Sequence, residues 1–320
     1  MKVALFYLPD VKYGGWPTYT AHLYYGLKEA GHQPNLYRIG NKTETKSRDW
    51  GRGIRYQNVS ITDAIFIASQ VETIVTATSK KYQLETEALV KAGATVIIHD
   101  PTELKGDIPE ILKIAKDVVT IRAINKDTLS GMGINARYLR HPYARQPRQP
   151  KAMRFRWAAS FSRIDWDKGT HHIIEANQHL PKDKQITIHG AANTIYAYHK
   201  LPENWKDYYA GQFSADSLWA GAVIASRYHW AVDMSTISGD GGGTQYTFLE
   251  AADAGTGLLL NADWLTGRAD DEILPYAHFT KPEQLADALK EKPTIQSTGL
   301  LANHDAKTIA AYTIDHTTTQ

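Results

Sequence analysis

The chain has 320 residues, of which 42% are hydrophobic and 22% are charged, and its formal net charge is +2. This length and composition predict a globular protein with two domains of about 150 residues each. It contains no cysteine, which excludes disulfides, thiol nucleophiles and cysteine-bound metals. The first apolar run, Val3 to Leu8, is too short for a signal peptide or a membrane span. We therefore expect a cytoplasmic protein with no membrane partner.

Short apolar runs alternate with helical patterns through the first half of the chain. A strand is predicted at residues 3–8, followed by a turn at Gly14-Gly15 and a helix from Thr18 to Ala30. Alternation of this kind is typical of a parallel sheet covered by helices. The same pattern predicts helices at 81–92 and 108–114 and further strands at 34–38, 64–68, 95–99 and 118–121.

A segment rich in proline and arginine, residues 140–150, interrupts this pattern and is predicted to be an interdomain linker. Alternation then resumes, with helices predicted at 169–178, 245–254 and 282–290 and strands at 155–160, 185–189, 230–233 and 257–261. The sequence thus predicts the α/β class, with two α/β domains facing each other across a cleft. We expect domains at residues 1–145 and 151–300, and a helical tail at 301–320 that packs back on the first domain.

A glycine-rich segment leads into the predicted helix at 245–254. Three consecutive glycines allow the backbone to approach a ligand closely, and the N–H groups at the start of a helix favour a diphosphate. Glu250, inside the helix, is expected to accept hydrogen bonds from ribose hydroxyls. An ordinary glycine loop before a capped helix is the alternative. The candidate donor-binding residues of this segment are Asp240, Gly241, Gly242, Gly243, Thr244, Gln245, Tyr246, Thr247 and Glu250.

Two cations, Arg163 and Lys168, follow the predicted strand at 155–160. On one loop they would neutralise a nucleoside diphosphate as it leaves. The alternative is a plain helix start capped by Asp165 or Asp167. Asp165-Trp166-Asp167 also matches the short Asp-x-Asp metal signature. We favour capping, because Lys168 already supplies positive charge, and expect that no divalent metal is required.

His99 and Asp100 close a predicted buried strand of the first half. Residues at the carboxyl ends of parallel strands face the crevice where α/β proteins bind ligands. An acid–base pair is well placed there for catalysis. The alternative is a strand-end turn in which Asp100 caps the chain before Pro101.

Positive charge is concentrated in two stretches. Residues 128–164 contain eight cations and no acidic residue, and Arg145 and Arg148 lie in this run. The other stretch is expected to be a loop that grips phosphates and stacks on bases. Basic linkers and solvated loops are the alternative for both stretches. The candidate DNA-binding residues of the second stretch are Lys42, Lys46, Arg48, Trp50, Arg52 and Arg55.

The order of these motifs resembles that of the GT-B glycosyltransferases, which have two Rossmann-like domains. The segment 160–169 resembles the strand, loop and helix that place an Arg and a Lys against the donor diphosphate. Gly190, after the strand at 186–188, resembles the glycine turn beside the nucleotide, and Gly14-Gly15 resembles the loop that closes over the donor sugar. Glu250 matches the second of two glutamates found in many retaining members, whereas the first falls on Gly242.

A narrower resemblance is to the DNA α-glucosyltransferases of T-even phages. Residues 246–250 have the same Tyr-Thr-x-Leu-Glu core, and His99-Asp100 matches a strand that ends in His-Asp. The resemblance implies a monomer in the host cytoplasm that transfers glucose, with retention, from a UDP-sugar to a 5-hydroxymethyl pyrimidine in double-stranded phage DNA. It also implies an acceptor-side first domain, a nucleotide-sugar-binding second domain and no tightly bound cofactor. His99 would relay a proton and Asp100 would offset oxocarbenium charge.

Two other functions remain open from the sequence. One is a GT-B glycosyltransferase that acts on a saccharide, lipid or small-molecule acceptor, with the basic stretches incidental. The other is a catalytically silent module that binds a nucleotide sugar or a nucleic acid.

Overall fold

A computed structural model describes residues 1–11, 14–146, 154–212, 217–236, 242–265 and 271–315. The chain divides into two compact units. The first consists of Met1–Arg145, Ala215–Leu218 and Asn303–Gln320, and the second of Gln146–Ser214 and Trp219–Ala302. Each unit is built around one β-sheet.

The sheet of the first unit has eight strands in the order β3-β4-β2-β1-β5-β6-β7-β8. Neighbouring strands are parallel except for the antiparallel pair β3 and β4. Five consecutive residues of the central β1 are buried, so both faces of the sheet are covered there. The strands are β1 (Lys2–Tyr7), β2 (Gln33–Ile39), β3 (Arg48–Gly51), β4 (Ile54–Val59), β5 (Glu72–Ala77), β6 (Thr95–Ile98), β7 (Asp117–Thr120) and β8 (Arg137–Tyr138).

Five helices connect these strands, because each parallel pair needs a crossover. They are α1 (Gly15–Glu29), α2 (Ile61–Gln70), α3 (Gln83–Lys91), α4 (Ile108–Leu112) and α5 (Ala123–Gly131). Apolar side chains of the strands and helices form a continuous buried core that includes Phe6, Val75, Val96 and Leu129.

The second unit repeats this plan with five parallel strands in the order β10-β9-β11-β12-β13. Its core includes Ile173, Ile188, Val232 and Leu259. The strands are β9 (Arg156–Ser160), β10 (Ile186–Ile188), β11 (Tyr228–Asp233), β12 (Gly257–Asn261) and β13 (His278–Thr280). The helices are α6 (Thr170–His179), α7 (Thr194–Lys200), α8 (Ala220–Ala225), α9 (Tyr246–Asp253) and α10 (Leu285–Ala288), and α11 (Ala306–Ile314) belongs to the first unit.

Most predicted strands are confirmed to within about two residues, but the strand predicted at 64–68 is wrong. These residues lie inside α2. The hydroxyl oxygen of Ser60 accepts the backbone N–H of Asp63 at 3.2 Å and caps this helix. Ala64 and Ala68 are buried four positions apart, which is helical spacing. The strand of this region is β5, directly after α2.

The basic stretch around Trp50, predicted as a loop, contains the hairpin β3–β4 at the sheet edge. Its two-residue turn, Arg52-Gly53, has positive φ at both positions, 56° and 72°. This backbone suits the right-handed twist of a hairpin, although a non-glycine residue rarely adopts it.

The described part of the predicted linker, residues 140–146, packs closely within the first unit up to Ala144. The N–H of Tyr143 donates to the carbonyl of His304 at 2.7 Å, and the N–H of Ala144 donates to Nδ1 of His22 at 3.0 Å. Both residues are at most 2% exposed. Residues 147–150 of the predicted linker lie outside the described residues.

Helix α11 packs against α1, with backbone close to backbone. A Cβ added to Gly26 of α1 would lie 2.2 Å from the carbonyl oxygen of Ala306. Arg137 holds the other end of α11, because its Nη1 donates to the carbonyls of Tyr312 at 2.8 Å and Asp315 at 3.2 Å. Its Nε donates to Asp117 at 3.2 Å. Arg137 therefore joins β7, β8 and the last helix of this unit.

Gly26→Ala is expected to lower the free energy of unfolding by up to about 2 kcal/mol. Overpacking costs about 1–3 kcal/mol, which exceeds the gain of about 1 kcal/mol in helix propensity. Gly131→Ala is the matched control, because a Cβ there meets no atom within 4 Å. Urea denaturation should show a lower midpoint for the first variant and an equal or higher one for the second. Equal stability of both variants would contradict the close packing of α11 on α1.

Candidate functional site

His99 follows β6 at the carboxyl edge of the first sheet and is 5% exposed. Its Nε2 lies 2.7 Å from the carbonyl oxygen of Thr76, and the ring of Tyr19 packs edge-on against it with 4.7 Å between centroids. A carbonyl only accepts hydrogen bonds, so Nε2 carries the proton and Nδ1 holds the lone pair of the neutral ring. Burial lowers the pKa of His99 to about 4. The ring is therefore neutral near pH 7.

Asp100 caps the short 3₁₀ turn Pro101–Leu104, as the alternative interpretation of the sequence held. Its Oδ1 accepts the N–H of Thr102 at 2.8 Å. Glu103 completes a capping box by accepting the N–H of Asp100 at 3.1 Å. The carboxylate of Asp100 is half-buried and takes part in this cap, at the end of β6 beside His99.

Glu103 is a residue that the sequence reasoning missed. Its side chain is fully buried, and burial raises its pKa well above the usual range of a glutamate. The spacing Asp100-Pro101-Thr102-Glu103 is the sequence signal that marks it, because an acidic N-cap followed three residues later by Glu predicts a capping box.

The buried histidines of the first unit also include His22 and His141. His22 accepts the N–H of Ala144, its ring lies 4.7 Å from that of Tyr143, and burial lowers its pKa to about 3. Burial also holds the pKa of His141 well below its ordinary value. The fold therefore keeps these imidazoles neutral.

Stability is expected to fall as the pH drops below about 6.5, the ordinary histidine pKa. The folded-state pKa values of His22 and His99, about 3 and about 4, lie below that value. At a pH between the folded-state and ordinary pKa values, the unfolded chain therefore binds more protons than the folded protein. Each histidine then removes about 1.4 kcal/mol per pH unit. The measurement is the free energy of unfolding from pH 7.5 to 5.

Two variants separate this effect from general acid sensitivity. His22→Asn keeps an acceptor for the N–H of Ala144 but removes the titrating group. The slope of the free energy of unfolding against pH should therefore lose the contribution of about one proton. His199→Gln, at an exposed position of α7, should leave the slope unchanged. A wild-type slope in His22→Asn would contradict the buried neutral state of His22.

Gly14 and Gly15 form the start of α1 after β1. Gly14 is the N-cap residue with a φ of 102°, a conformation that favours glycine, and it has no side chain to cap the first turn. The hydroxyl of Thr18 donates back to the carbonyl of Gly14 at 2.9 Å. The first N–H groups of this 15-residue helix therefore lie at the same edge of the sheet as His99.

Arg163 and Lys168 lie on the loop between β9 and α6, at the carboxyl edge of the second sheet. Arg163 is 55% exposed and lies 3.4 Å from Asp165, whereas Lys168 is 6% exposed with its Nζ 3.6 Å from Asp167. The predicted capping by Asp165 or Asp167 is wrong, since the N-cap of α6 is Gly169. Oδ1 of Asp165 instead accepts Asn193 at 3.0 Å, which ties this loop to the start of α7.

Gly190 and Gly169 allow two close backbone approaches beside this loop. A Cβ on Gly190 would lie 2.3 Å from the carbonyl oxygen of Ser162, and one on Gly169 would lie 2.4 Å from that of Met234. Both glycines have positive φ, 139° and 59°. The segment that carries Arg163 is therefore packed tightly against the ends of β10 and β11.

Asp233, at the end of β11, is a second residue that the sequence reasoning missed. It is 4% exposed, accepts the hydroxyl of Ser162, and accepts the N–H of Ser235 at 2.8 Å. It thereby fixes the residue before Arg163. Its only sequence signal is an acidic residue that directly ends an apolar strand.

The glycine-rich segment is described from Gly242 onward, and Asp240 and Gly241 lie outside the described residues. Gly242 and Gly243 are buried with positive φ, 82° and 78°. The hydroxyl of Thr244 donates to Glu272 at 3.0 Å. The predicted helix is confirmed as α9, and Gln245 is its N-cap residue, followed by Tyr246 and Thr247 in its first turn.

Glu250 lies one turn inside α9, and it is 8% exposed. A Cβ added to Gly221 of α8 would lie 2.1 Å from Oε2 of Glu250. The carboxylate therefore packs directly on the backbone of α8, and a side chain at position 221 would have to displace this carboxylate.

The candidate DNA-binding cations separate into exposed and buried groups. Arg52 is 8% exposed, its guanidinium lies 5.6 Å from the ring centroid of Trp50, and its carbonyl accepts the hydroxyl of Tyr25 at 2.7 Å. Trp50 packs edge-on against Tyr7. Lys42, Lys46, Arg48, Arg55 and Arg145 are exposed, and Arg148 lies outside the described residues.

Neither a metal-binding cluster nor a membrane-spanning helix occurs among the described residues. In those ranges, no three His, Asp or Glu side chains are grouped so that they could share a metal ion. No helix among the described residues is both long and apolar enough to cross a bilayer.

The chain has the GT-B fold, with two α/β units in which polar side chains follow the carboxyl ends of parallel strands. No protein-family model matches the sequence, and no curated protein matches it significantly. The expected GT-B architecture is thus confirmed by solved structures alone.

Two kinds of solved structure illustrate the likeness. An alpha-glucosyltransferase in complex with UDP is 12% identical, with a TM-score of 0.73 over 98% of this chain and 99% of that chain. An alpha-glucosyltransferase with UDP and a 13-mer DNA containing a HMU base gives a TM-score of 0.71 at 12% identity, over 98% of both chains. HepE of Anabaena in complex with UDP gives 0.68 at 12% identity, over 98% of this chain and 99% of that chain.

Proposed function

We propose that this chain is a hexosyltransferase that moves glucose from UDP-glucose to a 5-hydroxymethyl pyrimidine in DNA, with retention at the anomeric carbon. The donor is supported by the shared fold with proteins solved in complex with UDP or UDP-glucose. The acceptor is supported by the alpha-glucosyltransferase complexes that contain DNA.

The observation that carries the proposal is the pair of cations on the β9–α6 loop. Lys168 is almost fully buried, and a buried lysine needs a compensating negative charge. Asp167 supplies one at 3.6 Å, and a diphosphate beside Arg163 would add more. Fixed cations in a partly desolvated site stabilise the charge that develops on a leaving diphosphate.

The transfer exchanges one C–O bond for another. The bond from the anomeric carbon to the β-phosphate oxygen breaks, and its electron pair leaves with UDP. A bond from the anomeric carbon to the hydroxymethyl oxygen forms, and the proton of that hydroxyl is released to solvent. Arg163 and Lys168 act on the leaving side of this exchange.

His99 is proposed to act on the sugar or acceptor side through Nδ1. Its depressed pKa makes the ring a hydrogen-bond acceptor that orients a hydroxyl rather than a strong base. The carboxylate of Asp100 is proposed to act mainly through the turn that holds His99, because it caps that turn.

Arg163→Ala and Lys168→Ala are each expected to lower turnover of UDP-glucose by about 10²-fold or more, the usual loss when one charge-stabilising group is removed. DNA affinity should stay nearly unchanged. Lys182→Ala is the matched control, since Lys182 is exposed in the same unit before β10. UDP release is the measurement, and wild-type turnover in both variants would contradict the diphosphate role.

The same assay tests the acceptor. UDP release should require duplexes that contain 5-hydroxymethyl pyrimidine and should be absent with unmodified duplexes. Mass spectrometry of digested nucleosides should show one added hexose per modified base. If the protein binds UDP tightly but releases no UDP from UDP-glucose with any acceptor, it is instead a silent binding module.

The exposed cations of the β3–β4 region are proposed to contact DNA phosphates. Neutralising Lys42, Lys46 and Arg55 together should reduce the slope of log affinity against log salt by about 2–3, close to 0.9 per phosphate contact. Arg52 is left intact because it is buried. Neutralising Lys91, Lys105 and Lys113, exposed on another part of the first unit, is the control. An unchanged slope in the first triple variant would remove this hairpin from the interface.

A second candidate is a glycosyltransferase with a saccharide, lipid or small-molecule acceptor. The dispersal of the basic run favours it, because Arg137 is buried within the first unit and Arg154 donates to the carbonyl of Gly255. The run is therefore not one continuous cationic surface. UDP release that depends on such an acceptor, and not on modified DNA, would establish this alternative.

A further inference from the structure

The carboxylate of Glu103 accepts three backbone N–H groups from the ends of two neighbouring strands. Oε1 accepts Thr78, just after β5, at 3.4 Å. Oε2 accepts Asp100 at 3.1 Å and also His99, both just after β6. One buried side chain thus fixes the spacing of two strand ends at the carboxyl edge of the first sheet.

The ring of His99 depends on the same spacing. Its Nε2 donates to the carbonyl of Thr76, which belongs to β5, whereas its own backbone belongs to the end of β6. If the two strand ends moved apart, this 2.7 Å hydrogen bond would lengthen. The edge-on contact with Tyr19 restrains the ring plane but offers no hydrogen bond that selects a tautomer.

We propose that Glu103 is a positioning residue for His99: by clamping the ends of β5 and β6 it locks the imidazole as the Nε2–H tautomer and keeps Nδ1 as the acceptor. The catalytic consequence of this lock rests on the proposed function, but the lock itself does not.

A role as a helix cap alone predicts a different result. In that case Glu103→Gln would lower stability, because an amide nitrogen would face at least one backbone N–H and leave it without an acceptor. The tautomer of His99 in the folded variant would not change. If Glu103 acts as a clamp, Glu103→Gln should both lower stability and change the tautomer of His99.

The deciding measurement is the ¹⁵N–¹H spectrum of the histidine rings, with His99 assigned by the signals missing from His99→Asn. Wild type should show a single neutral Nε2–H tautomer for His99 from pH 6 to 8. In Glu103→Gln the ¹⁵N chemical shifts of the two ring nitrogens of His99 should move toward the averaged values of mixed tautomers. Glu110→Gln, exposed on α4, is the matched control and should match wild type.

Glu103→Asp provides the second variant in case Glu103→Gln does not fold. It keeps the carboxyl group but is one methylene shorter, so it should show partial averaging of the His99 signals. An unchanged single tautomer in every folded Glu103 variant would overturn the proposal.

Kinetics add a separate arm. Glu103→Gln should lower kcat by about 10²-fold, the scale expected for a misplacement of about 1 Å, while the Kd of UDP stays near wild type because the proposed diphosphate-binding cations, Arg163 and Lys168, lie in the second unit. If wild type turns over no UDP-sugar, the proposed function fails and the NMR result still decides the lock. Averaged tautomers with an unchanged kcat would refute only the catalytic role of the lock.

Discussion

Backbone groups at the carboxyl ends of parallel strands lose their ladder partners, and the need to satisfy them shapes both units. Acidic side chains meet this need at each edge: the buried Glu103 and the half-buried Asp100 in the first sheet, and the buried Asp233 in the second. The loops that they fix carry His99 and Arg163. The candidate site residues on these loops are therefore positioned by the backbone hydrogen bonds of their neighbours as well as by their own contacts.

The sequence predicted the α/β class because buried parallel strands are continuous apolar runs that stand out from their surroundings. It failed at residues 64–68, where five apolar residues fit a strand and a helix equally well. It also missed β3 and β4, which include the exposed Arg48 and Asp49 and the half-buried Gln57. Polar edge strands lack the periodic signal on which such predictions depend.

The candidate site was predicted in part for the same reason. His99, Arg163 and Lys168 were predicted as site residues because each follows an apolar strand, and such positions lie at the carboxyl edge of their own sheet. Glu103 and Asp233 were missed because a carboxylate that binds backbone inside a turn has the same sequence appearance as a surface cap. The basic run at residues 128–164 led to too broad a prediction of a cationic surface. The density of charge along the sequence does not reveal that Arg137 is buried and hydrogen-bonded within the first unit.

The contact between α1 and α11 sets an order of events during synthesis. Gly26 and Ala306 touch across most of the chain length, so the first unit cannot bury that face of α1 until the residues of the second unit have been made. At about 5–20 residues per second, the second unit takes roughly ten to thirty seconds to translate. During that interval the first unit is an incomplete core with an exposed helix face, open to chaperones. Its maturation is therefore tied to the arrival of its last helix.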